Sequence, residues 1–192
     1  MGLTNSTMLP LGTVAPPFSL PDTSGQIVSI DQFKTAPVLW IMFICNHCPY
    51  VQHISYSIAK LAHEYQEKGV DVVAINSNDA QKYPADSPAM MREEAKRLRY
   101  TFPYLYDESQ SVARAYRAAC TPEFYLFDHQ RKLAYRGRFD PSNPGNSIAP
   151  SGEELRRALD ALLAKKPVPA DQKPSVGCNI KWKPGNEPDY FG

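Results

Sequence analysis

Cys45 and Cys48 stand three residues apart in Phe43-Ile-Cys-Asn-His-Cys-Pro-Tyr50, and thiols at that spacing around a helical turn are close enough to form a disulfide. Such a pair supports two chemistries. It exchanges disulfides through a thiolate, or it supplies half of a tetrahedral metal site. A metal site needs two further ligands from His47, His53, Cys120 and Cys178, and the sequence holds no second closely spaced pair. The redox reading is therefore preferred, with no metal and no cofactor expected. Cys45 then serves as the nucleophile, because it sits where a strand gives way to a helix and where free N–H groups and the helix dipole favour a thiolate. Cys48, about a turn later and more shielded, is the resolving thiol. His47 adds a positive charge or a hydrogen-bond donor beside Cys45 and so supports it.

The flanking residues supply the elements that hold this pair. Val38-Leu-Trp-Ile-Met-Phe-Ile44 is a continuous apolar run, the pattern of a strand buried on both faces. After it, Val51, Ile54, Ile58, Leu61 and Tyr65 recur at helical spacing, and Gly69 closes the run. A long helix is thus predicted to start at Cys48. Val70 to Ile75 reads as a second buried strand, so strand, helix and strand make a parallel crossover. Phe18 to Leu20 and Gln26 to Ile30 read as a hairpin. Asn76 to Pro88 reads as a polar loop, and Ser87 is placed to cap a helix carrying Met91, Ala95 and Leu98 inward. A short strand at Phe102 to Tyr106 and a short helix at Ser109 to Ala118 follow. Phe124 to Phe127 and Leu133 to Phe139 read as a second hairpin, and a last helix begins near Ser151. Beyond Lys166 five prolines break any period, and residues 165–192 read as an extended tail on a single domain whose core spans about 12–164.

Composition narrows the function. The chain has 192 residues, 43% of them hydrophobic, with 21 Lys and Arg against 20 Asp and Glu. A net charge of +1 lacks the concentrated basic surface that nucleic-acid binding needs. The longest apolar run, Val38 to Cys45, falls well short of the roughly 20 residues of a membrane helix. No secretory leader is read at the start of the sequence, and a cytoplasmic location is expected. Four cysteines are too few for a disulfide-stapled scaffold of this size.

From about Gly12 to Ala164 the chain resembles the thioredoxin-like superfamily, in the branch of AhpC/TSA-type redoxins and small thiol–disulfide oxidoreductases. The resemblance is carried by Ala15-Pro-Pro-Phe-Ser-Leu-Pro-Asp-Thr-Ser-Gly25, by the Cys-Asn-His-Cys-Pro-Tyr segment, and by Thr121-Pro-Glu-Phe-Tyr-Leu-Phe-Asp128. It implies an α/β fold, a central mixed sheet flanked by helices, with an N-terminal β-hairpin. It also implies that Cys45 attacks, that Cys48 resolves, that Pro122 is cis, and that the backbone of Thr121 pairs with an extended substrate segment. Aligned instead with peroxiredoxins, Cys48 takes the peroxide-reducing position, Cys45 stands where those enzymes have Thr, and Pro122 stands near their Arg. The Val38 to Ile44 strand contains no acid, so the buried carboxylate that thioredoxin uses as a proton acceptor has no counterpart there.

Two cysteines remain. Cys120, two residues before Pro122, is either a core residue or a candidate further redox thiol on the Cys45 face. Cys178 lies in the tail near Trp182, a candidate anchor, and exchanges with Cys45 or pairs with Cys120 if the tail folds across the site. The expected function is thiol–disulfide exchange with a protein or small-molecule disulfide, recharged by an outside dithiol donor such as the thioredoxin or glutathione system. A thiol-dependent peroxidase and a non-enzymatic metal-binding or interaction module are the alternatives.

Overall fold

The computed structural model describes residues 2–191. Its centre is β4 (Val38–Phe43), every residue of which is buried. Alternation along this strand splits the core into two. Val38, Trp40 and Met42 face one hydrophobic layer, while Leu39, Ile41 and Phe43 face the other. β5 (Val70–Asn76) pairs with β4 in parallel, and β6 (Tyr104–Tyr106) pairs in parallel with β5. On the other side β8 (Glu123–Phe127) and β9 (Leu133–Gly137) join in antiparallel fashion, giving the order β6-β5-β4-β8-β9. This is the mixed sheet expected from the sequence.

The first layer is covered by α1 (Pro49–Gln66), α2 (Pro88–Leu98) and α4 (Glu153–Leu163). In α1 the expected stripe of Val51, Ile54, Ile58, Leu61 and Tyr65 is buried throughout, each such side chain contributing about 1.5–3 kcal/mol of burial energy. Gly69 turns the chain out of the helix with φ +90, a conformation favoured by the lack of a Cβ. Ser87 caps α2 by accepting from the Met90 N–H. The second layer is covered by α3 (Ser111–Ala115) and by the hairpin of β2 (Ser19–Pro21) and β3 (Ile27–Ser29).

The tail departs most from the sequence reading. Residues 176–179, Val-Gly-Cys-Asn, form β10 (Val176–Asn179), which lies antiparallel between β1 (Leu3–Asn5) and β7 (Cys120–Thr121). Ile180 and Trp182 are buried in the second layer, and Trp182 meets Tyr190 edge-on at 6.5 Å between centroids. Proline-broken sequence carries no period from which so short a strand can be read. Its pairing is set by partners distant along the chain.

Candidate active site

Cys45 follows β4 by two residues, and Cys48 is the N-cap of α1 with Pro49 at the first helical position. Pro49 suits that position because it removes a donor that the first turn leaves free. The Thr121–Pro122 peptide between β7 and β8 is cis, as the resemblance implies. Thr121 touches both sulfurs. Its hydroxyl lies 3.4 Å from Cys45 Sγ, and its carbonyl accepts from Cys48 Sγ at 3.2 Å. Cys45 is 2% exposed and Cys48 is 0% exposed, so the pair lies beneath the surface.

The electrostatics reverse one expectation. The helix start was expected to favour the Cys45 thiolate, but the capping position belongs to Cys48. A hydrogen bond with Cys45 favours the Cys48 thiolate first; burial opposes it, and contacts with the Cys178 thiol and with the N–H groups of Val51 and Cys178 add to it. The result is a Cys48 lowered to about 5. Cys45 is pushed well up by the same hydrogen bond, by burial and by the charge of Asp86. Below about 5 Cys48 is a thiol donating to the Thr121 carbonyl; above it Cys48 is the favoured thiolate and Cys45 keeps its proton. In a pH titration of the reduced protein by ultraviolet thiolate absorbance, a first step is expected near about 5. The Cys45→Ser variant, losing the thiol that donates to Cys48, should move this step; an unchanged step would show that Cys45 does not govern the Cys48 thiolate.

Asp86 is a functional residue that the sequence did not disclose. It lies in a 3₁₀ turn, Pro84–Asp86, within the loop read only as polar, and is fully buried. One carboxylate oxygen accepts from the backbone N–H groups of Asn46 at 2.8 Å and His47 at 3.2 Å. The other accepts from His47 Nδ1 at 2.5 Å and from Asn78 Nδ2 at 2.8 Å. Burial alone would raise this carboxyl, but the His47 and Asn78 hydrogen bonds outweigh it and the net shift is downward. Asp86 is thus a buried carboxylate beside the Cys-x-x-Cys loop, provided by the loop after β5 and not by β4. His47 is held with its ring stacked on Tyr83 at 5.2 Å between centroids. Ligand atoms of Cys45, His47 and Asp86 all lie within 4.8 Å of one another.

A groove of about 420 Å³ opens beside this cluster, lined by Asn46, His47, Gln52, Met90, Glu93 and Arg97 among others. The edge of Thr121 does not open to it. Cys178 of β10 is paired with Thr121, so the chain's own tail takes the position that the resemblance assigns to an extended substrate.

The remaining cysteines separate. Cys120 is wholly buried, and its thiol lies 3.8 Å from Glu123 Oε2 and from the Pro122 carbonyl. Burial, followed by the charge of Glu123, raises it well above the usual thiol range. Glu123 is itself buried, raised by desolvation, and hydrogen-bonded by Ser6 and the Ala119 N–H. Cys178 is 6% exposed and lies in the same buried cluster as Cys48. It is raised to about 11, by burial first and then by Cys48.

Comparison with known proteins shows the family and the fold. Residues 11–136 match the model of the AhpC/TSA family. Peroxiredoxin Q of Triticum aestivum is 28% identical over 103 residues, 54% of this chain and 44% of that protein, so the chain spans less than half of that relative. The thiol–disulfide oxidoreductase ResA of Geobacillus thermodenitrificans is 28% identical over 138 residues, covering 68% of this chain and 70% of that protein. Among solved structures, an uncharacterized conserved protein from Geobacillus kaustophilus superposes with a TM-score of 0.94 at 54% identity, covering 96% of this chain and 98% of that one. A thiol:disulfide interchange protein from Chlorobium tepidum has a TM-score of 0.62 at 25% identity, covering 81% of this chain and 99% of that one, and the thioredoxin-like architecture is shared.

Proposed function

The chain belongs to the AhpC/TSA family, and from that premise we propose that it is a thiol–disulfide oxidoreductase whose working pair is Cys45 and Cys48. The observation that carries this reading is the pair itself: two reduced thiols at a helix N-terminus, both in contact with Thr121 before a cis-proline. Cys45 is taken as the attacking sulfur because Cys48 is wholly buried at the helix start, whereas Cys45 directly precedes Asn46 and His47, which line the groove. Its proton passes to Cys48 as its sulfur attacks a substrate disulfide and releases one substrate thiolate. That thiolate takes the proton back from Cys48. The restored Cys48 thiolate attacks Cys45, closes the Cys45–Cys48 disulfide and releases the second substrate thiolate. His47 and Asp86 hold the Cys-x-x-Cys loop in place, and Thr121 and Pro122 form its opposite wall.

An outside dithiol, of the thioredoxin or glutathione type, recharges the pair. A reducing compartment such as the cytoplasm suits this direction of flow. Since the tail covers the Thr121 edge, small disulfides are preferred over an extended protein segment as substrates. A second reading, reduction of peroxide, is favoured by one observation: the lowered Cys48 thiol receives the N–H of Val51 at the helix start, the environment of a reactive thiolate.

The test is reduction of a small disulfide and of insulin by purified protein, with peroxide consumption measured in parallel. Cys45→Ser is expected to abolish disulfide reduction, and Cys48→Ser to accumulate mixed disulfides on Cys45. Wild-type rates in Cys45→Ser would rule out the reading. Peroxide turnover that survives in Cys45→Ser and disappears in Cys48→Ser would establish the second.

A further inference from the structure

Three of the four cysteines converge. Cys45, from the end of β4, and Cys178, from β10, lie with Cys48 in one buried cluster, and each shifts the Cys48 thiol. The Thr121 carbonyl that accepts from Cys48 belongs to the residue paired with Cys178. This placement is built into the fold. The Gly177 backbone lies so close to Thr121 that a Cβ there would sit 2.0 Å from its carbonyl oxygen. Beyond it, the Ile180 N–H donates to the Ala119 carbonyl at 3.0 Å and the Lys181 N–H to Asn78 Oδ1 at 2.8 Å. Before it, the Ser6 N–H donates to the Ser175 carbonyl at 2.8 Å.

We propose that Cys178 is the third redox thiol of this site, converting the Cys45–Cys48 disulfide into a Cys48–Cys178 disulfide and so carrying the oxidised pair from the floor of the site to the tail. The step rests on the proposed Cys45–Cys48 chemistry and needs no further oxidant. The Cys178 sulfur attacks Cys48 Sγ, the Cys48–Cys178 bond forms, and the Cys45–Cys48 bond breaks. Cys45 leaves with the electron pair and takes the proton that Cys178 gives up. Burial and the Asp86 charge then keep Cys45 protonated. The oxidised pair now ends at Cys178, 6% exposed, where before it ended at Cys45, 2% exposed, with Cys48 wholly buried. A thiolate of the outside dithiol attacks Cys178, and Cys48 leaves as the thiolate its surroundings favour, since a low-pKa sulfur is the better leaving group. The donor's second thiol then resolves the mixed disulfide, leaving Cys178 reduced and the donor oxidised.

The experiment treats reduced wild type, Cys45→Ser, Cys120→Ser and Cys178→Ser proteins with one equivalent of diamide. Free thiols are then alkylated in denaturing acid, and peptides are mapped without reduction. Wild type is expected to give both Cys45–Cys48 and Cys48–Cys178, and Cys45→Ser an intramolecular Cys48–Cys178 bond. Cys120→Ser should match wild type, and Cys178→Ser should retain only Cys45–Cys48. If wild type forms Cys45–Cys48 while Cys48–Cys178 is absent from both wild type and Cys45→Ser, this inference is overturned and the two-thiol reading stands. Absence of Cys45–Cys48 from both wild type and Cys178→Ser would overturn both.

Discussion

Replacing Gly177 with alanine is expected to unseat β10 and to cost more than the about 1–3 kcal/mol of ordinary overpacking. The added Cβ would lie 2.0 Å from the Thr121 oxygen, 2.8 Å from its carbonyl carbon and 3.3 Å from Pro122 Cδ. A flexible side chain could swing away from such an intrusion. Here the obstacle is backbone, and β7 runs directly into β8, which is paired on both sides in the main sheet. The strand must lift instead. In the Gly177→Ala protein the urea midpoint should fall and Cys178 should become alkylated rapidly in the folded state. Alanine at Gly2, where a Cβ meets nothing within 4 Å, provides the control. Unchanged melting together with continued protection of Cys178 would refute the close approach.

The second large effect is expected at Asp86. Alanine there removes the acceptor of the Asn46, His47 and Asn78 hydrogen bonds at one stroke. Each buried donor left without a partner costs about 1–3 kcal/mol. Water entering the space relieves part of this, so a loss of about 3–5 kcal/mol is expected from the four donors together. The pH dependence has a definite sign. The native carboxyl is held below its ordinary 3.8, so its stabilisation is fully present above that value and is lost as pH falls through the native one. Asp86→Asn should lack this acid-dependent component. Because the Asp86 charge raises Cys45, the same variant should also bring Cys45 ionisation to lower pH. An acid-unfolding curve for Asp86→Asn that parallels wild type would remove Asp86 from this role.

What the sequence disclosed and what it hid follow from the range of the interactions. The α1 stripe and the all-apolar β4 were legible because helical periodicity and double burial are written in consecutive residues. The Ser87 cap was legible for the same reason, its partner being three residues away. The dithiol was visible in its spacing, and the cis-proline came from resemblance. The division of labour between the sulfurs was not visible. It depends on whether the helix begins at Cys48 or one residue later, and on Cys178, more than a hundred residues away. Asp86 was hidden because an acid in a polar loop carries no pattern, and only folding brings it under His47. β10 was hidden because its four residues have neither period nor length, and their order comes from Thr121 and Leu3.

Asn78 has a consequence that reaches across the molecule. Its Oδ1 receives the N–H of Lys181 in the tail, while its Nδ2 donates to the carboxylate that grips His47. Both bonds belong to one planar amide, so neither can tilt without the other. The tail and the Asp86–His47 pair are thereby held through a single side chain: Asn78→Ala is expected to take one hydrogen bond from each at once.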